Sequence, residues 1–219
     1  MTAVAVLTLT RDRLDYTQHC FQRLYENAGC EYDHFVLDQS SDDDTPSYLL
    51  DQDFTSVILE PRNIGICRGM NKLIEHAFEL DDYDVIVKFD NDCELTQQNT
   101  LRDIAQLVEE GGCLLSPRIL GLREPPKAMR ELRIGDETIL DIPQIGGIFT
   151  AYPAWIFDEF RFDESQMLYD DVQVCHWFRS QGGTCGYVKR LEAWHYETTD
   201  GQQARYPDYW NRKMEEMKV

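Results

Sequence analysis

The amino-acid sequence predicts an α/β fold in which helices flank a central, mixed and mostly parallel sheet. Up to Ser116, short β-branched runs alternate with longer amphipathic runs, which is the pattern of strands connected by helices. The predicted strands contain few alternating polar residues, as expected for strands covered on both faces. The strand Val85–Phe89 leads directly into Asp90 and Asp92, and open α/β sheets bind ligands beyond the carboxyl ends of their strands.

The predicted strands of this region are short, apolar and rich in β-branched residues. They are Val4–Leu9, Phe35–Leu37, Val57–Leu59, Val85–Phe89 and Cys113–Ser116. Helices are predicted between them because apolar residues recur there at helical spacing. These helices are Tyr16–Asn27, Arg68–Leu80 and Thr100–Glu110.

The alternation lapses between Pro117 and Pro143, where an excess of Arg and Lys accompanies prolines. The prolines of this segment are Pro117, Pro125, Pro126 and Pro143. Because apolar, strand-like sequence resumes at once, the segment is predicted to be a long excursion or a loose hairpin and not a linker between domains.

Regular structure is predicted to return after this excursion. A helix is expected at Asp170–Gln181, closed by Gly182 and Gly183, followed by a strand at Thr184–Val188. A separate strand is expected to end at Trp194-His195-Tyr196, and the tail is expected to end in a charged helix.

Composition limits the function classes. A chain of 219 residues with 21 basic and 40 acidic side chains has a formal charge of −19, which disfavours nucleic acid and anionic membranes as partners. Seven cysteines include no C-x-x-C pair, so neither a disulfide framework nor a zinc site is predicted. The N-terminus lacks a signal peptide or membrane-spanning pattern. We therefore expect a cytoplasmic protein, with peripheral membrane attachment and oligomeric state left open.

The Asp90-Asn91-Asp92 turn is the first candidate for a functional site. Carboxylates two residues apart at the end of a strand can direct their oxygens to one point, where they suit Mg²⁺ or Mn²⁺. A divalent ion held by one or two carboxylates keeps positions open for diphosphate oxygens. An ordinary solvated turn is the alternative, because Asp and Asn are common turn formers.

Further motifs follow one another along the chain. Residues 36–45, which read VLDQSSDDDT, resemble the motif V-x-D-N-G-S-T-D-G-T, and residues 62–71, RNIGICRGMN, resemble N-x-G-x-x-x-G-x-N. A glycine pair at Gly146-Gly147 precedes residues 169–175, YDDVQVC, which resemble E-D-V-D-L-C. His195 provides a late histidine after Trp194. Each motif is individually common, and their specificity comes from the set and its order.

In this order the motifs resemble those of family 2 nucleotide-sugar glycosyltransferases with the GT-A fold. The resemblance implies a single GT-A-like, Rossmann-like domain over residues 1–219. Residues 1–116 would bind the nucleotide sugar, residues 117–198 would carry acceptor and catalytic groups, and residues 199–219 would form a C-terminal tail. The implied reaction is inverting transfer from a UDP- or dTDP-sugar to a carbohydrate or other hydroxyl acceptor, with Mn²⁺ or Mg²⁺, in glycan or polysaccharide synthesis.

The resemblance also assigns the metal site. Asp92 would be the direct metal ligand, and His195 would supply a further ligand or contact the diphosphate. Asp90 would reach the ribose or a metal-bound water. A histidine buried beside Trp194 without a ligand role is the alternative for His195.

A larger set of residues is implied to bind the nucleotide sugar: Thr10, Asp38, Asp43, Asn63, Gly65, Arg68, Asn71, Asp90 and Asn91. Asp38 and Asp43 supply acceptors for ribose hydroxyls or a uracil N–H. The chain departs from the family pattern in this loop at Gln39, Ser40 and Asp44. A solvated acidic loop is therefore the alternative for some of these carboxylates.

Asp171 takes the position of the catalytic base, and Asp170 replaces the usual Glu beside it. The shorter side chain leaves open which member of the pair faces the acceptor. Both could instead only stabilise the helix N-terminus. An inactive nucleotide-sugar-binding module is the alternative function, because the chain departs from the family at Gln39, Ser40 and Asp170. A nucleotidyltransferase is disfavoured because no glycine-rich phosphate loop follows Leu9.

Overall fold

The central sheet of the computed structural model contains ten strands, all within the described residues 2–122 and 127–216. In chain order they are β1 (Val4–Thr10), β2 (Asp33–Gln39), β3 (Ser56–Glu60), β4 (Val85–Phe89), β5 (Cys93–Leu95), β6 (Leu114–Leu120), β7 (Arg130–Ile134), β8 (Glu137–Asp141), β9 (Phe149–Pro153) and β10 (Cys185–His195).

Helices connect and flank these strands. They are α1 (Leu14–Asn27), α2 (Thr45–Leu50), α3 (Ile66–Leu80), α4 (Thr100–Gly111), α5 (Asp170–Ser180), α6 (Thr199–Arg205) and α7 (Pro207–Glu216), with a 3₁₀ turn at Ala154–Asp158. Among the described residues, no helix combines the length and hydropathy needed to cross a membrane.

The main order of the sheet is β3-β2-β1-β4-β9-β6-β10-β8-β7, and β5 pairs with β10 outside this path. β3, β2, β1 and β4 are mutually parallel. β9 runs antiparallel between β4 and β6, and β10 runs parallel to β6. The strands β1 to β4, β6 and β10 therefore all point in one direction, which confirms the predicted mixed, mostly parallel sheet.

Alternate side chains of the strands fill two hydrophobic clusters, one on each face of the sheet. In β1, Val4 and Val6 face the cluster formed with α1 and α4, whereas Ala5 and Leu7 face the cluster formed with α3 and α5. This alternation follows from the two-residue period of a strand. It explains why the predicted strands have almost no polar positions.

The structure corrects two predictions in the second half of the chain. Pro117 does not begin the excursion, because β6 continues through it to Leu120. The strands predicted at Thr184–Val188 and before Tyr196 form a single strand, β10, whose register against β6 shifts between Val188 and Glu192. Pro117 pairs with Val188 just before that shift, and a proline, which cannot donate a ladder hydrogen bond, is tolerated at such irregularities.

The segment 117–143 contains the predicted hairpin, formed by β7 and β8. Pro125 and Pro126 lie outside the described residues, as do the last three residues of the predicted charged helical end. Asp141, at the end of β8, is 1% exposed. Its carboxylate accepts hydrogen bonds from Arg130 Nε at 2.8 Å and Arg179 Nη2 at 2.5 Å. The hairpin is thereby attached to α5, which carries Arg179.

Asp141→Asn tests this attachment. Burial alone would raise the pKa of Asp141, but hydrogen bonds and charge from Arg179 and Arg130 lower it. Ionised Asp141 therefore contributes fully to the free energy of unfolding above the ordinary aspartate pKa of about 3.9. This contribution is lost as pH falls through the lower pKa that Asp141 has in the folded protein. We expect Asp141→Asn to lower the free energy of unfolding by about 2 kcal/mol at pH 7 in urea titrations.

The exposed pair formed by Lys189 and Glu131, whose charged atoms lie 2.8 Å apart, supplies the control. Glu131→Gln should change stability by less than about 1 kcal/mol. If the two substitutions lowered the free energy of unfolding equally at pH 7, Asp141 would not be what attaches the hairpin to α5.

Candidate active site

The carboxyl ends of β1, β2 and β4 border a cleft of about 150 Å³. Its lining comprises Leu9, Thr10, Arg11, Arg13, Gln39, Asn63, Gly65, Ile66, Lys88, Asp90, Asn91, Asp92, Met167, Leu168, Tyr209 and Lys213. A wider groove of about 1020 Å³ lies at the amino ends of the strands, near Ala3 and Asp33, and contains none of the predicted site residues. Because ligands of open α/β sheets bind at the carboxyl ends, the smaller cleft is the candidate site.

The turn after β4 brings Asp92 beside His195. Cys93 N donates to Asp90 O at 3.0 Å and thereby closes the turn, and β5 then pairs antiparallel with β10 so that Cys93 lies opposite His195. Tyr196 N donates to Asp92 O at 2.7 Å. Strand pairing, and not sequence proximity, therefore joins these two predicted metal ligands.

The ring of His195 is oriented by the backbone of Glu197, two residues further along the chain. Its Nδ1 donates to the carbonyl oxygen of Glu197 at 2.8 Å, and Nε2 lies 3.5 Å from Asp92 Oδ2. Burial would lower the pKa of His195, but the hydrogen bond and charge of Asp92 raise it. A histidine whose Nδ1–H is bound to a carbonyl presents Nε2 as a metal ligand. The convergent nitrogen and oxygen thus fit a divalent ion.

The described residues contain no group of three or more His, Cys, Asp or Glu side chains that could hold a metal. Asp92 Oδ2 and His195 Nε2 are two donor atoms of types that divalent ions accept, and they lie 3.5 Å apart.

Arg13 is a site residue that the sequence did not reveal. It immediately precedes α1 in the left-handed region, with φ 59°. Its Nη1 donates to Asp92 Oδ2 at 3.0 Å and to Gln202 Oε1 at 2.9 Å, and Nη2 donates to Asn91 Oδ1 at 3.1 Å. The Tyr209 ring centre lies 4.5 Å from the guanidinium carbon. Burial would lower the pKa of Arg13 and raise that of Asp92, but their opposite charges move both pKa values the other way.

The C-terminal helices also contribute groups that sequence reasoning missed. Gln202 of α6 is 1% exposed, and its Nε2 lies 3.4 Å from both Asp92 Oδ2 and His195 Nε2. Tyr209 and Lys213 of α7 line the cleft. The four-residue spacing of Tyr209 and Lys213 places them on one helical face, but nothing in the sequence indicates where that face lies.

Lys88 connects the two acidic motifs. Its Nζ lies 3.1 Å from Asp90 Oδ1 and 3.1 Å from Asp170 Oδ2, and it also donates to the carbonyl oxygen of Gly147. Burial would lower the pKa of Lys88, but Asp170 and Asp90 raise it. Burial and the neighbouring carboxylates raise the pKa of Asp90 to about 6 against the opposing effect of Lys88.

The beginning of α5 separates the roles of the Asp170-Asp171 pair. Tyr169, with φ 71°, precedes the helix, and the side chain of Asp170 is 5% exposed against Lys88. Asp171 is half-buried, and its Oδ2 accepts a hydrogen bond from Gln144 Nε2 at 3.1 Å. Asp170 is therefore committed to an internal ion pair, whereas Asp171 keeps a partly accessible carboxylate.

Gly147 allows the backbone to approach these groups closely. A Cβ atom at this position would lie 3.0 Å from Lys88 Nζ and 3.4 Å from Asp170 Oδ2. The first distance is tighter than nine in ten real Cβ contacts. A side chain at this position would therefore have to displace the Lys88 ammonium group by a few tenths of an ångström.

Six of the predicted nucleotide and metal residues line the cleft: Thr10, Asn63, Gly65, Asp90, Asn91 and Asp92. Gly65 has φ 85°, and a Cβ there would lie 2.9 Å from Met167 Sδ. Asn63 Oδ1 accepts a hydrogen bond from Gly65 N at 3.0 Å. These contacts fix the loop that enters α3.

The other predicted nucleotide residues make internal contacts outside the cleft lining. Asp38 accepts hydrogen bonds from Thr10 Oγ1 at 3.0 Å and Ser41 N at 2.9 Å. Asp43 accepts from Leu14 N at 3.0 Å and Thr45 N at 2.9 Å. Their contact with a nucleotide stays a prediction.

Arg68 and Asn71, on α3, hold the segment that precedes α5. Arg68 is exposed, and its Nε lies 3.3 Å from Glu164 Oε2. Asn71 is 4% exposed, and it bonds Phe162 N at 3.0 Å and Phe162 O at 2.9 Å. Their nucleotide roles likewise stay predictions.

The family of the chain follows from comparison with known proteins. Residues 5–180 match the model of glycosyl transferase family 2, so the chain belongs to this family.

Solved glycosyltransferase structures share the fold. GalNAc-T7 with UDP, GalNAc and Mn²⁺ has a TM-score of 0.73 at 12% identity, and the match covers 92% of this chain and 44% of the GalNAc-T7 chain. S. aureus TarS 1-349 in complex with UDP has a TM-score of 0.66 at 12% identity, and the match covers 88% of this chain and 60% of the TarS chain. The mannosyltransferase PcManGT from Pyrobaculum calidifontis, in complex with GDP-Man and Mn²⁺, has a TM-score of 0.67 at 14% identity, and the match covers 93% of this chain and 59% of the PcManGT chain. The chain thus has the predicted GT-A fold and spans less than two thirds of each of these proteins.

Lys88→Met tests the central ion pair. The substitution leaves the buried Asp170 carboxylate without its cation, so we expect a loss of about 3 kcal/mol in the free energy of unfolding. The double variant Lys88→Met/Asp170→Asn removes both charges and should lose less than the single variant. Chemical denaturation at pH 7 measures both. Unchanged stability of Lys88→Met would show that the ion pair does not hold β4 and α5 together.

Proposed function

We propose that this chain is an inverting, metal-dependent glycosyltransferase that moves a sugar from a nucleoside diphosphate to an acceptor hydroxyl. The observation that supports this proposal most strongly is the convergence of Asp92 Oδ2 and His195 Nε2 at 3.5 Å beside a cleft at the carboxyl ends of the strands. Helix α5, which carries the proposed base Asp171, is joined to the same site through Lys88.

The metal would serve the departure of the nucleotide. A bound Mn²⁺ or Mg²⁺ would act as a Lewis acid on the diphosphate, whose negative charge grows as the glycosidic bond breaks. Asp92 and His195 would hold this ion, and Asp90 would contact the ribose or a metal-bound water. The Nδ1 bond to the Glu197 carbonyl keeps His195 in the tautomer that this role needs.

Asp171 would act as the catalytic base. It would accept the proton of the acceptor hydroxyl while that oxygen attacks the anomeric carbon from the face opposite the diphosphate, which inverts the configuration. Gln144 donates to one of its carboxylate oxygens at 3.1 Å and would orient it. Asp170 is a poor candidate for the base because its carboxylate is buried against Lys88.

The donor is proposed to be a UDP- or dTDP-sugar, and the acceptor a carbohydrate or another hydroxyl compound. Asp38 and Asp43 stabilise the loop after β2, and Gln39 brings an amide to the cleft that is suited to reading a nucleobase edge. A cytoplasmic location is part of this proposal and is supported by seven free cysteine thiols.

Two substitutions should separate donor binding from chemistry. Asp92→Asn should weaken Mn²⁺-dependent nucleotide binding by about tenfold or more, because it removes a charged metal ligand. Asp171→Asn should leave that binding within about twofold and lower sugar transfer by about 10²- to 10⁴-fold, because it removes the base. Calorimetry and release of nucleotide from a donor sugar measure the two effects.

Asp158→Asn removes an exposed carboxylate and is the control for a change of one charge. It should leave both binding and transfer unchanged. Normal turnover of Asp171→Asn would show that another group is the base.

Calorimetric titration with UDP, dTDP, GDP and ADP, each with Mn²⁺ and again with a chelator, tests the donor class. We expect one of the uridine or thymidine nucleotides to bind, and only with the metal. Absence of binding to all four would contradict the proposed function. Metal-dependent binding without transfer to any acceptor or to water would favour an inactive nucleotide-sugar-binding module.

A further inference from the structure

The wider groove at the amino ends of the strands has no role in the proposed reaction. Its volume of about 1020 Å³ is at the upper end of the range of about 300–1,000 Å³ that small-molecule pockets occupy. Residues from the beginnings of β1 and β2, from α1 and α2, and from the segments before β3 and β4 line it. The groove therefore has room for several side chains of a bound molecule.

Aromatic rings line the groove. They belong to Phe21, Tyr25, Tyr32, His34, Tyr48, Phe54 and Tyr83. The ring centre of His34 lies 4.8 Å from that of Phe21 and 5.0 Å from that of Phe54, and both pairs meet edge to face. This packing holds the three rings in one arrangement. Tyr25 is 81% exposed, so its ring is accessible to a ligand.

The charged side chains that line the groove are all acidic. They are Glu31, Asp33, Asp53 and Asp81, and none of them forms an ion pair with a described residue. The carboxylate of Asp33 is held in place by Thr55 Oγ1 and the Tyr83 hydroxyl, each of which donates to it at 2.8 Å. The groove thus differs from the candidate active site, whose acids are paired with Arg13 and Lys88.

The described basic groups near the groove do not compensate these carboxylates. Burial lowers the pKa of His34 to about 3, so this histidine is neutral at physiological pH. Arg23 of α1 and Arg102 of α4 lie outside the lining and are paired with acids that also lie outside it. Unbalanced like charges in one groove attract a ligand of the opposite charge.

We propose that this groove binds an arginine-rich segment of a partner protein. A guanidinium group binds a carboxylate through two parallel hydrogen bonds and also stacks on an aromatic ring. The groove offers carboxylates and rings side by side, since Glu31 and Asp33 flank Tyr32 and Asp53 precedes Phe54. The aliphatic parts of arginine side chains would pack on the same rings.

The charge of the groove favours this occupant over others. A neutral carbohydrate would use the rings but would leave the four charges without a partner, and an anionic partner would be repelled. The groove and the cleft lie at opposite ends of β1 and β2, so a bound segment leaves the cleft open. The partner would therefore position the protein without competing with its substrates.

The test is a calorimetric titration of the full chain, at low ionic strength, with a short peptide of alternating arginine and serine that is acetylated and amidated at its ends. We expect this peptide to bind. The same peptide with citrulline in place of arginine keeps the planar side chain but has no charge, and it should bind about tenfold or more weakly. Absence of binding by the arginine peptide, or equal binding of the two peptides, would overturn the inference.

Glu31→Gln/Asp53→Asn removes two exposed charges of the groove and should weaken binding of the arginine peptide by about fivefold or more, because two ion pairs are lost. The matched control is Glu110→Gln/Asp136→Asn, at exposed positions close to the turn between β7 and β8. This turn lies at the opposite edge of the sheet from β3. Because distant charges are screened, the control should change binding by less than about twofold. Equal effects of the two double variants would show that the overall charge attracts the peptide, and not the groove.

Tyr25→Ser tests the aromatic contribution without a change of charge. It should weaken binding of the arginine peptide by about threefold, as expected for the loss of one exposed contact between a cation and a ring. Tyr25→Phe keeps the ring and should bind the peptide as the unaltered protein does. Thermal melting checks that both variants are folded. Equal affinities of the two variants would overturn the assignment of the aromatic face to guanidinium binding.

Other occupants would give different results. Binding of a neutral chitin oligosaccharide that is lost in Tyr25→Ser, without binding of the arginine peptide, would show a carbohydrate site. Self-association of the unaltered protein in sedimentation, lost in Glu31→Gln/Asp53→Asn, would identify a second copy of this chain as the occupant. Either result would overturn the inference. The groove variants should leave Mn²⁺-dependent nucleotide binding unchanged, so the inference and the proposed function are tested separately.

Discussion

The ion pairs of Lys88 are the interaction on which the rest of the site depends. A single ammonium group in the middle of the sheet contacts Asp90, at the end of its own strand, and Asp170, at the start of α5. These two carboxylates are far apart in the sequence. Because a buried charge without partners is strongly unfavourable, the lysine fixes α5 against β4 and so fixes the distance between the Asp90-Asn91-Asp92 turn and Asp171, the proposed base.

The same constraint organises the rest of the cleft. Asp92 is held by Arg13 on one side and approached by His195 on the other, and the C-terminal helix α6 inserts Gln202 among these groups. In a chain with a formal charge of −19, the proposed site for the metal and diphosphate thus lies where the buried cations Arg13 and Lys88 are paired with acids. The net charge governs long-range encounters, whereas these short contacts govern the chemistry.

Several elements could be predicted because their signals are local. The strands are mostly apolar, with Lys88 as the exception within Val85–Phe89, and the helices carry apolar residues at helical spacing, so both were confirmed to within a few residues. The separate strands predicted before and after Lys189 were wrong, because a polar stretch in β10 looks like a break when the pairing with β6 is unknown. Pro117 looked like the end of a strand for the same reason: a proline is tolerated there only because the facing strand shifts register.

The sequence by itself determined the fold class, the family motifs and the identity of the acids at the strand ends, since these depend on periodicity and short spacing. It left open which of Asp170 and Asp171 is accessible. Tertiary structure decided this by placing Lys88 against Asp170. It also decided that Arg13 meets Asp92 and that strand pairing brings His195 to the same carboxylate. Such contacts join residues far apart in the chain, and their energy depends on distance and burial, which no local pattern encodes.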